Sequence, residues 1–337
     1  MLQFKNMITC IDMHTLGEPL RLITAGFPPI PGKTVLEKRA YFKEKMDHLR
    51  KLLMLEPRGH ADMYGCVLIP PVSDDGDFGT LFIHNEGHGA MCGHGCIAVS
   101  TAVFDTGMMS GREGINELRL DTPAGRVTSF VNIENGRVKN VTFQNVPTFV
   151  YEENIKIPVE GIGEVTGDLV FGGDFYVYVD VKQLGMEIAP ENTKELARRA
   201  MEIKHKVLEM RKIVHPTEPK LTGLYETILT SSPEIRGERA ISRNICVFAD
   251  GEVDRSPCGT GTSGRFTQLY AKGLIGKDMV LEHHSIIDTV FEARMKEETT
   301  IGDKRGIVAT VTGSAYIMGL NQIVLDPNDP LPDGFHL

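Results

Sequence analysis

The sequence predicts an α/β (α+β) protein made of two similarly built halves. Three observations carry that prediction. Helical and strand-like runs recur in the same order in each half. Each half delivers one Cys-Gly-x-Gly turn into the start of a helix, at Met91-Cys92-Gly93-His94-Gly95 and at Pro257-Cys258-Gly259-Thr260-Gly261, with the two cysteines 166 residues apart. The chain's 337 residues, 41% hydrophobic and 24% charged, are an ordinary globular composition at a length suited to two domains.

In the first half, Thr34 to Leu55 reads as a helix, with Leu36, Tyr41, Met46, Leu49, Leu52 and Leu53 spaced among charges and Pro57 closing it. Strand-like runs follow at Ala61 to Ile69 and Gly79 to His84, then the turn at Cys92 and a helix from about Gly95 to Phe104. Arg126 to Val146 reads as a hairpin about Asn135-Gly136. The second half repeats the order: a helix over Asn192 to Val214, strands at Leu224 to Thr230 and Asn244 to Phe248, the turn at Cys258, and a helix from about Thr262 to Lys272. Alternating runs follow at Val290 to Met295 and Gly306 to Leu325. The join is placed near Pro147 to Tyr151, with no Gly/Ser-rich or Pro-rich tract, so the halves are expected to pack together around a small-molecule cleft.

A thiol at a helix N-terminus faces unpaired backbone N–H groups and the positive end of the macrodipole. Both cysteines are therefore expected to titrate below the free-thiol value of about 8.5. One such thiol reads as a nucleophile. Two read as proton carriers working on opposite faces of one carbon, the thiolate removing a proton and the thiol delivering one. The amides of Gly93 and His94, and of Gly259 and Thr260, are suited to holding a substrate carboxylate without an arginine. An amino-acid α-proton is a very weak acid. Alignment of the reacting groups supplies up to about 7–11 kcal/mol of the barrier reduction, and fixed donors on the carboxylate about 3–4 kcal/mol. A cationic ring nitrogen on the substrate would add to this and needs an acceptor. Asp254 is the first candidate and His94 the second.

A secondary amine such as proline cannot form the ordinary neutral aldimine with pyridoxal phosphate. The sequence has no Walker-type phosphate loop and no Gly-x-Gly-x-x-Gly after a strand, so no cofactor is expected. The net charge is −9 and no Lys/Arg cluster stands out, which argues against nucleic acid and anionic membranes as partners. No apolar run is long enough to span a bilayer, and the N-terminus lacks the pattern of a secretory leader. Six cysteines in a chain this long fit a reducing cytoplasm, with Cys10, Cys66 and Cys246 read as small core residues.

At these motifs the sequence resembles the proline racemase family, which includes hydroxyproline 2-epimerases and trans-3-hydroxy-L-proline dehydratases. The matching stretches are Asp12-Met13-His14-Thr15-Leu16-Gly17-Glu18-Pro19, Met91 to Gly95, and Asp254-Arg255-Ser256-Pro257-Cys258-Gly259-Thr260-Gly261-Thr262. The resemblance implies a diaminopimelate-epimerase-like fold. This has two pseudo-symmetric lobes, each a curved, mostly antiparallel sheet around a central helix, with the site in the cleft. It implies lobes over 1–148 and 149–325, with the tail 326–337 returning to the first. It also implies catalysis by Cys92 and Cys258, nitrogen contacts from His94 and Asp254, carboxylate contacts from the amides of Gly93, His94, Gly259 and Thr260, and a homodimer. The implied activity is inversion at the α-carbon of proline or a hydroxyproline.

The runner-up is dehydration of trans-3-hydroxy-L-proline. Glu56 to Gly65 and Asn244 to Asp250 resemble that branch, whose members typically replace one of the two cysteines by Ser or Thr, whereas this chain keeps both. Cys96 departs from the family pattern, which implies Thr, Ser or Val there. A rival of another class is a thiol redox or metal-binding protein using Cys92 and Cys96. Against metal, Gly87, Gly89, Gly93 and Gly95 interrupt any helix that would align His84, His88 and Cys92, so no metal is expected and His84 and His88 are read as structural. A structural reading also exists for Asp254, as an Asx-turn residue. Asp62 and His14 are read equally as cleft-lining and as strand-end packing.

Overall fold

The computed structural model describes residues 4–336. The chain runs β1 (Asn6–Thr15), β2 (Glu18–Ala25), α1 (Val35–Lys45), α2 (Asp47–Met54), β3 (Tyr64–Ile69), β4 (Phe78–His84), β5 (His88–Gly89), α3 (Gly93–Asp105), β6 (Gly114–Thr122), β7 (Gly125–Glu134) and β8 (Arg137–Gln144). It continues through β9 (Thr148–Val159), β10 (Gly163–Phe171), β11 (Phe175–Asp180), α4 (Thr193–Met210), β12 (Glu226–Thr230), β13 (Glu234–Arg236), β14 (Arg239–Phe248), β15 (Glu252–Asp254), α5 (Gly259–Ala271), β16 (Val280–His284), β17 (Val290–Ile301), β18 (Lys304–Gly313) and β19 (Ala315–Leu325). Two compact units result: one runs through Val141 and takes up the chain again from Ser314, the other is Thr142–Gly313. The sequence-based limits at 148 and 325 differ from these at both joins. At the second, β19 pairs along the length of β1, from Asn6↔Leu325 to Thr15↔Ala315, so the chain returns to the first unit a strand earlier.

In the first unit β1 lies between β19 and β2, both antiparallel to it. The sheet continues through a parallel β2–β3 pair and an antiparallel β3–β4 pair. It then passes from β4 to β6 and on to β7. Helix α3 packs against β1, β2, β3, β7 and β19 and is buried from Gly93 to Phe104. A helix apolar all round can only sit inside a fold. Its hydroxyls are satisfied locally, Ser100 Oγ donating to the Cys96 carbonyl at 2.7 Å and Thr101 Oγ1 to that of Ile97 at 2.9 Å. A separate cluster joins Phe42, Leu49, Leu53 and Met54 of α1 and α2 to Ile8, Val67, Leu81 and Leu325 of the sheet. The C-terminal segment is pinned to this unit by Phe335 N–H donating to the Glu56 carbonyl at 2.8 Å and by an Arg58–Asp329 ion pair at 2.6 Å.

The single helix expected over Thr34–Leu55 is two helices. Thr34 caps the first by accepting from Glu37 N–H at 3.1 Å, and the Glu37 carboxylate accepts from Lys33 N–H at 2.7 Å. Met46 then leaves the helical region (φ −128°, ψ 11°). The break suits the next residue, since the Asp47 carboxylate receives the Arg50 guanidinium at 2.6 Å and the His88 ring at 3.1 Å.

In the second unit the sheet closes on itself. The sequence of pairings is β9–β10–β11–β12–β14–β16–β17–β18, and β18 returns to β9 at Gly306↔Phe149. Helix α5 packs against β9, β10, β11, β17 and β18 and is buried from Gly259 to Leu269. Amphipathic α4 lays Leu196, Ala200, Ile203 and Val207 against β9, β12 and β14 and, apart from buried Lys204, turns its charges outward. Among the described residues no helix is long and apolar enough to cross a membrane.

Candidate active site

Both cysteines are the N-cap residues of their central helices, so those helices begin two or three residues earlier than the sequence reading placed them. Cys92 has an extended backbone (φ −141°, ψ 110°), and its Sγ accepts the Gly95 amide at 3.2 Å. The Cys258 Sγ accepts the Gly261 amide at 3.3 Å. Here the thiol takes the part usually played by a capping hydroxyl or carboxylate. The next amides, of Cys96 and Thr262, bond to the carbonyls of Cys92 and Cys258 at 3.0 and 2.7 Å. Gly93 and His94, and Gly259 and Thr260, occupy the first two helical positions, whose N–H groups have no acceptor within the helix.

The second glycine of each motif has a steric reason. A Cβ on Gly95 would lie 3.0 Å from the Cys92 Sγ and 2.9 Å from Phe82, and one on Gly261 would lie 2.9 Å from the Cys258 Sγ and 2.6 Å from Ile228. Only a residue without a side chain lets the amide reach the sulfur. The two caps differ in strain. Cys258 holds φ +60°, ψ 111°, a region unfavourable for a residue with a Cβ, at a cost of about 1–3 kcal/mol.

The Cys92 sulfur also lies 3.2 Å from the Nδ1 of His94. The His94 ring packs edge-on against Tyr64 at 4.7 Å, and its carbonyl accepts from Thr15 Oγ1 at 2.9 Å. Burial holds the His94 pKa down to about 3 against a hydrogen bond with the Pro19 backbone, so the imidazole is neutral at physiological pH.

Around Cys258 the surroundings are acidic. The Glu226 Oε2 accepts from both the Cys258 thiol, at 3.6 Å, and the Cys246 thiol. Asp254 is buried and its Oδ1 accepts the Ser256 amide at 2.8 Å. That bond is the Asx-type turn of the structural reading, and it fixes the carboxylate four residues before the cysteine. The Tyr176 hydroxyl donates to Thr260 Oγ1 at 2.6 Å and the Tyr178 hydroxyl to the Gly261 carbonyl at 2.7 Å, so β11 braces the first turn of α5. Among the described residues, a carboxylate oxygen of Glu226 and the sulfurs of Cys246 and Cys258 lie within 4.8 Å of one another, drawn together by the thiol–carboxyl hydrogen bonds.

The electrostatics overturn one expectation. Helix position predicted a lowered pKa for both thiols, but the Cys258 thiol is pushed up to about 12. A hydrogen bond from Cys246 lowers it, yet burial and the negative charges of Glu226 and Asp254 outweigh that and the Gly261 amide. Burial likewise raises Asp254 to about 6 against its Ser256 bonds, and Glu226 to about 8.

Glu226 was not foreseen, and Cys246 was read only as a core residue. The available hint was a lone acid inside the apolar run Leu224 to Thr230. Cys96 is buried in α3 and burial raises its thiol. His84 stacks on Tyr64 at 5.8 Å and the His88 ring packs on Phe42 at 4.9 Å, both structural roles. His14 stacks on Tyr316 at 5.1 Å and accepts the Gly17 amide at 3.2 Å, and Asp62 sits at a turn with φ +59°.

Comparison with known proteins matches residues 10–336 to the family described as proline racemase. A protein of Bacillus thuringiensis subsp. konkukian named trans-3-hydroxy-L-proline dehydratase is 43% identical over 100% of both chains. A Burkholderia multivorans protein named 3-hydroxyproline 2-epimerase is 40% identical over 99% of both. The crystal structure of a hydroxyproline epimerase from Agrobacterium vitis, with bound trans-4-hydroxy-L-proline, superposes with a TM-score of 0.94 at 32% identity, covering 100% of this chain and 96% of that one.

Proposed function

The chain belongs to the proline racemase family, and we propose that it is a cofactor-independent isomerase inverting the α-carbon of proline or a hydroxyproline, with Cys92 and Cys258 as its acid–base pair. The observation that carries this reading is the matched capping of α3 and α5 by cysteine, each sulfur held by the third amide of its helix. The first two amides of each helix are then the carboxylate donors. Asp254, and His94 as a neutral imidazole, hold the substrate's ring nitrogen. A cationic nitrogen paired with Asp254 also offsets part of the negative charge that opposes a thiolate at Cys258.

Dehydration of trans-3-hydroxy-L-proline is the second reading, favoured by the name of the 43% identical relative. Retention of both cysteines places inversion first. Incubation in deuterium oxide with L-proline, trans-4-hydroxy-L-proline and trans-3-hydroxy-L-proline, followed by NMR, separates the two. Inversion gives an α-deuterated epimer, dehydration gives a pyrroline product, and neither product from any substrate overturns both readings.

We further propose a cytoplasmic homodimer. Six free cysteines support a reducing compartment. The exposed apolar row Tyr316, Met318 and Leu320 on β19 supports a partner surface. Light scattering after size exclusion reads the assembly state.

A further inference from the structure

Resting on the assignment of Cys258 as an acid–base group, we propose that Glu226 is its positioning residue, a buried carboxyl that keeps Cys258 in the thiol form and returns a proton to it after each delivery. Glu226 opens β12 and is buried at 6% exposure. An acid at such a place is costly unless it is neutral or hydrogen-bonded. Its Oε2 is the shared acceptor of the Cys258 and Cys246 thiols. Sheet register brings the groups together, with Ile228 opposite Cys246 across β12–β14 and Cys246 opposite Asp254 across β14–β15.

The charged and titratable groups facing this carboxyl come from several elements. Asp254 and Asp174 disfavour its ionisation. Tyr176 and Tyr178 of β11 are themselves raised by burial and, after it, by the charges of Glu226 and Cys258. Lys204 of α4 is the opposing cation, and its Nζ donates to the Ala249 carbonyl at 2.8 Å. Burial leads the balance and raises Glu226 to about 8, so the carboxyl carries its proton at neutral pH.

The proton accounting closes. When Cys258 protonates the substrate carbanion, its S–H bond breaks and a C–H bond forms, leaving a thiolate beside the Glu226 carboxyl. The O–H proton moves to sulfur, S–H re-forms, and the carboxylate takes a proton from water. In the opposite direction the same steps reverse.

The test is the pH dependence of Cys258 alkylation by iodoacetamide in the full-length protein, read by mass spectrometry of the Cys258 peptide. Glu226→Gln keeps the shape and removes the charge that opposes the thiolate. At pH ~10, where the wild-type carboxyl is ionised, Cys258 labelling should rise about tenfold or more, the change expected for one pKa unit. In the same variant kcat should fall about tenfold with KM within about twofold. A Glu226→Gln labelling profile that coincides with wild type overturns the proposal. Should that variant not fold, the wild-type profile decides, since a Cys258 midpoint at or below the free-thiol value of about 8.5 is incompatible with it. Labelling reports the Glu226–Cys258 coupling whatever reaction the enzyme performs, whereas loss or retention of turnover in Cys258→Ser judges the acid–base assignment separately.

Discussion

The Sγ of Cys258 lies 3.6 Å from Oε2 of Glu226, a carboxyl 32 residues earlier in the chain. Its counterpart Cys92 instead faces the Nδ1 of His94 at 3.2 Å, two residues later. Two cysteines with the same local motif therefore sit against chemically different partners, one an acid and the other a neutral imidazole. The pair shares the sulfur-to-amide cap and differs in electrostatics, and the variants below probe both properties.

Serine at either cysteine keeps the cap but not the acidity. Cys92→Ser and Cys258→Ser should each lower turnover of the substrate found in the deuterium experiment by about a thousandfold or more. Turnover within tenfold of wild type in either variant would remove that cysteine from the acid–base pair.

Asp254→Asn retains the Asx-type bond to the Ser256 amide and removes the charge. Binding of pyrrole-2-carboxylate, a planar mimic of the flattened carbanion, should weaken by about tenfold or more in calorimetry. An unchanged Kd would leave Asp254 with only its structural role.

Gly261→Ala forces a methyl to within 2.9 Å of the Cys258 Sγ and 2.6 Å of Ile228. The sulfur must shift or the helix start must move, at a cost of about 1–3 kcal/mol in stability. A displacement of that size should reduce kcat by about a hundredfold. Gly107→Ala is the control for added bulk, since its Cβ meets nothing within 4 Å; strain at its φ of +73° lowers stability without touching the sulfur. Equal kcat in Gly261→Ala and Gly107→Ala would refute the steric account of the motif.

Buried histidines, His88, His94 and His283 among them, shape the acid limb of stability, since burial lowers each. Burial lowers His88 to about 4 despite its Asp47 partner, and His94 to about 3. The unfolded chain titrates these near 6.5, so between that value and about 4 it binds more protons than the native state. The stabilisation is present above about pH 6.5 and is lost as pH falls. Glu226, raised to about 8, acts with the opposite sign, and its contribution is lost as pH rises from about 4.5 to 8. Calorimetric Tm against pH should therefore fall on both sides, with His88→Gln flattening only the acid limb. An unaltered acid limb in that variant would contradict the assignment.

Truncation after Gly313 deletes β19, the neighbour of β1 along its whole length, and the bonds that pin the tail at Glu56 and Arg58. Circular dichroism should show loss of folded structure. A cooperative unfolding transition with native Tm would mean that the returning strand is dispensable.

Much was legible along the chain because the information is local. The Cys-Gly-x-Gly turns announce a helix start from chain chemistry alone, and the Asn135-Gly136 hairpin and the helix over residues 193–210 follow from turn residues and apolar spacing. The split at Met46 was hidden because it depends on Asp47 meeting His88, 41 residues away. The return of β19 to β1 was hidden because an alternating strand does not state its partner.

What the sequence determined by itself was the paired motif, with a thiol, an adjoining amide and a glycine to let them meet, all within four residues. What only the tertiary structure decided was the protonation state of the second thiol. Glu226, Cys246 and Asp254 reach Cys258 through strand pairing across 32, 12 and 4 residues. A pKa sums burial and charge over every neighbour in space, so the helix dipole, the one contribution visible along the chain, pointed toward a thiolate while the packed surroundings hold a thiol.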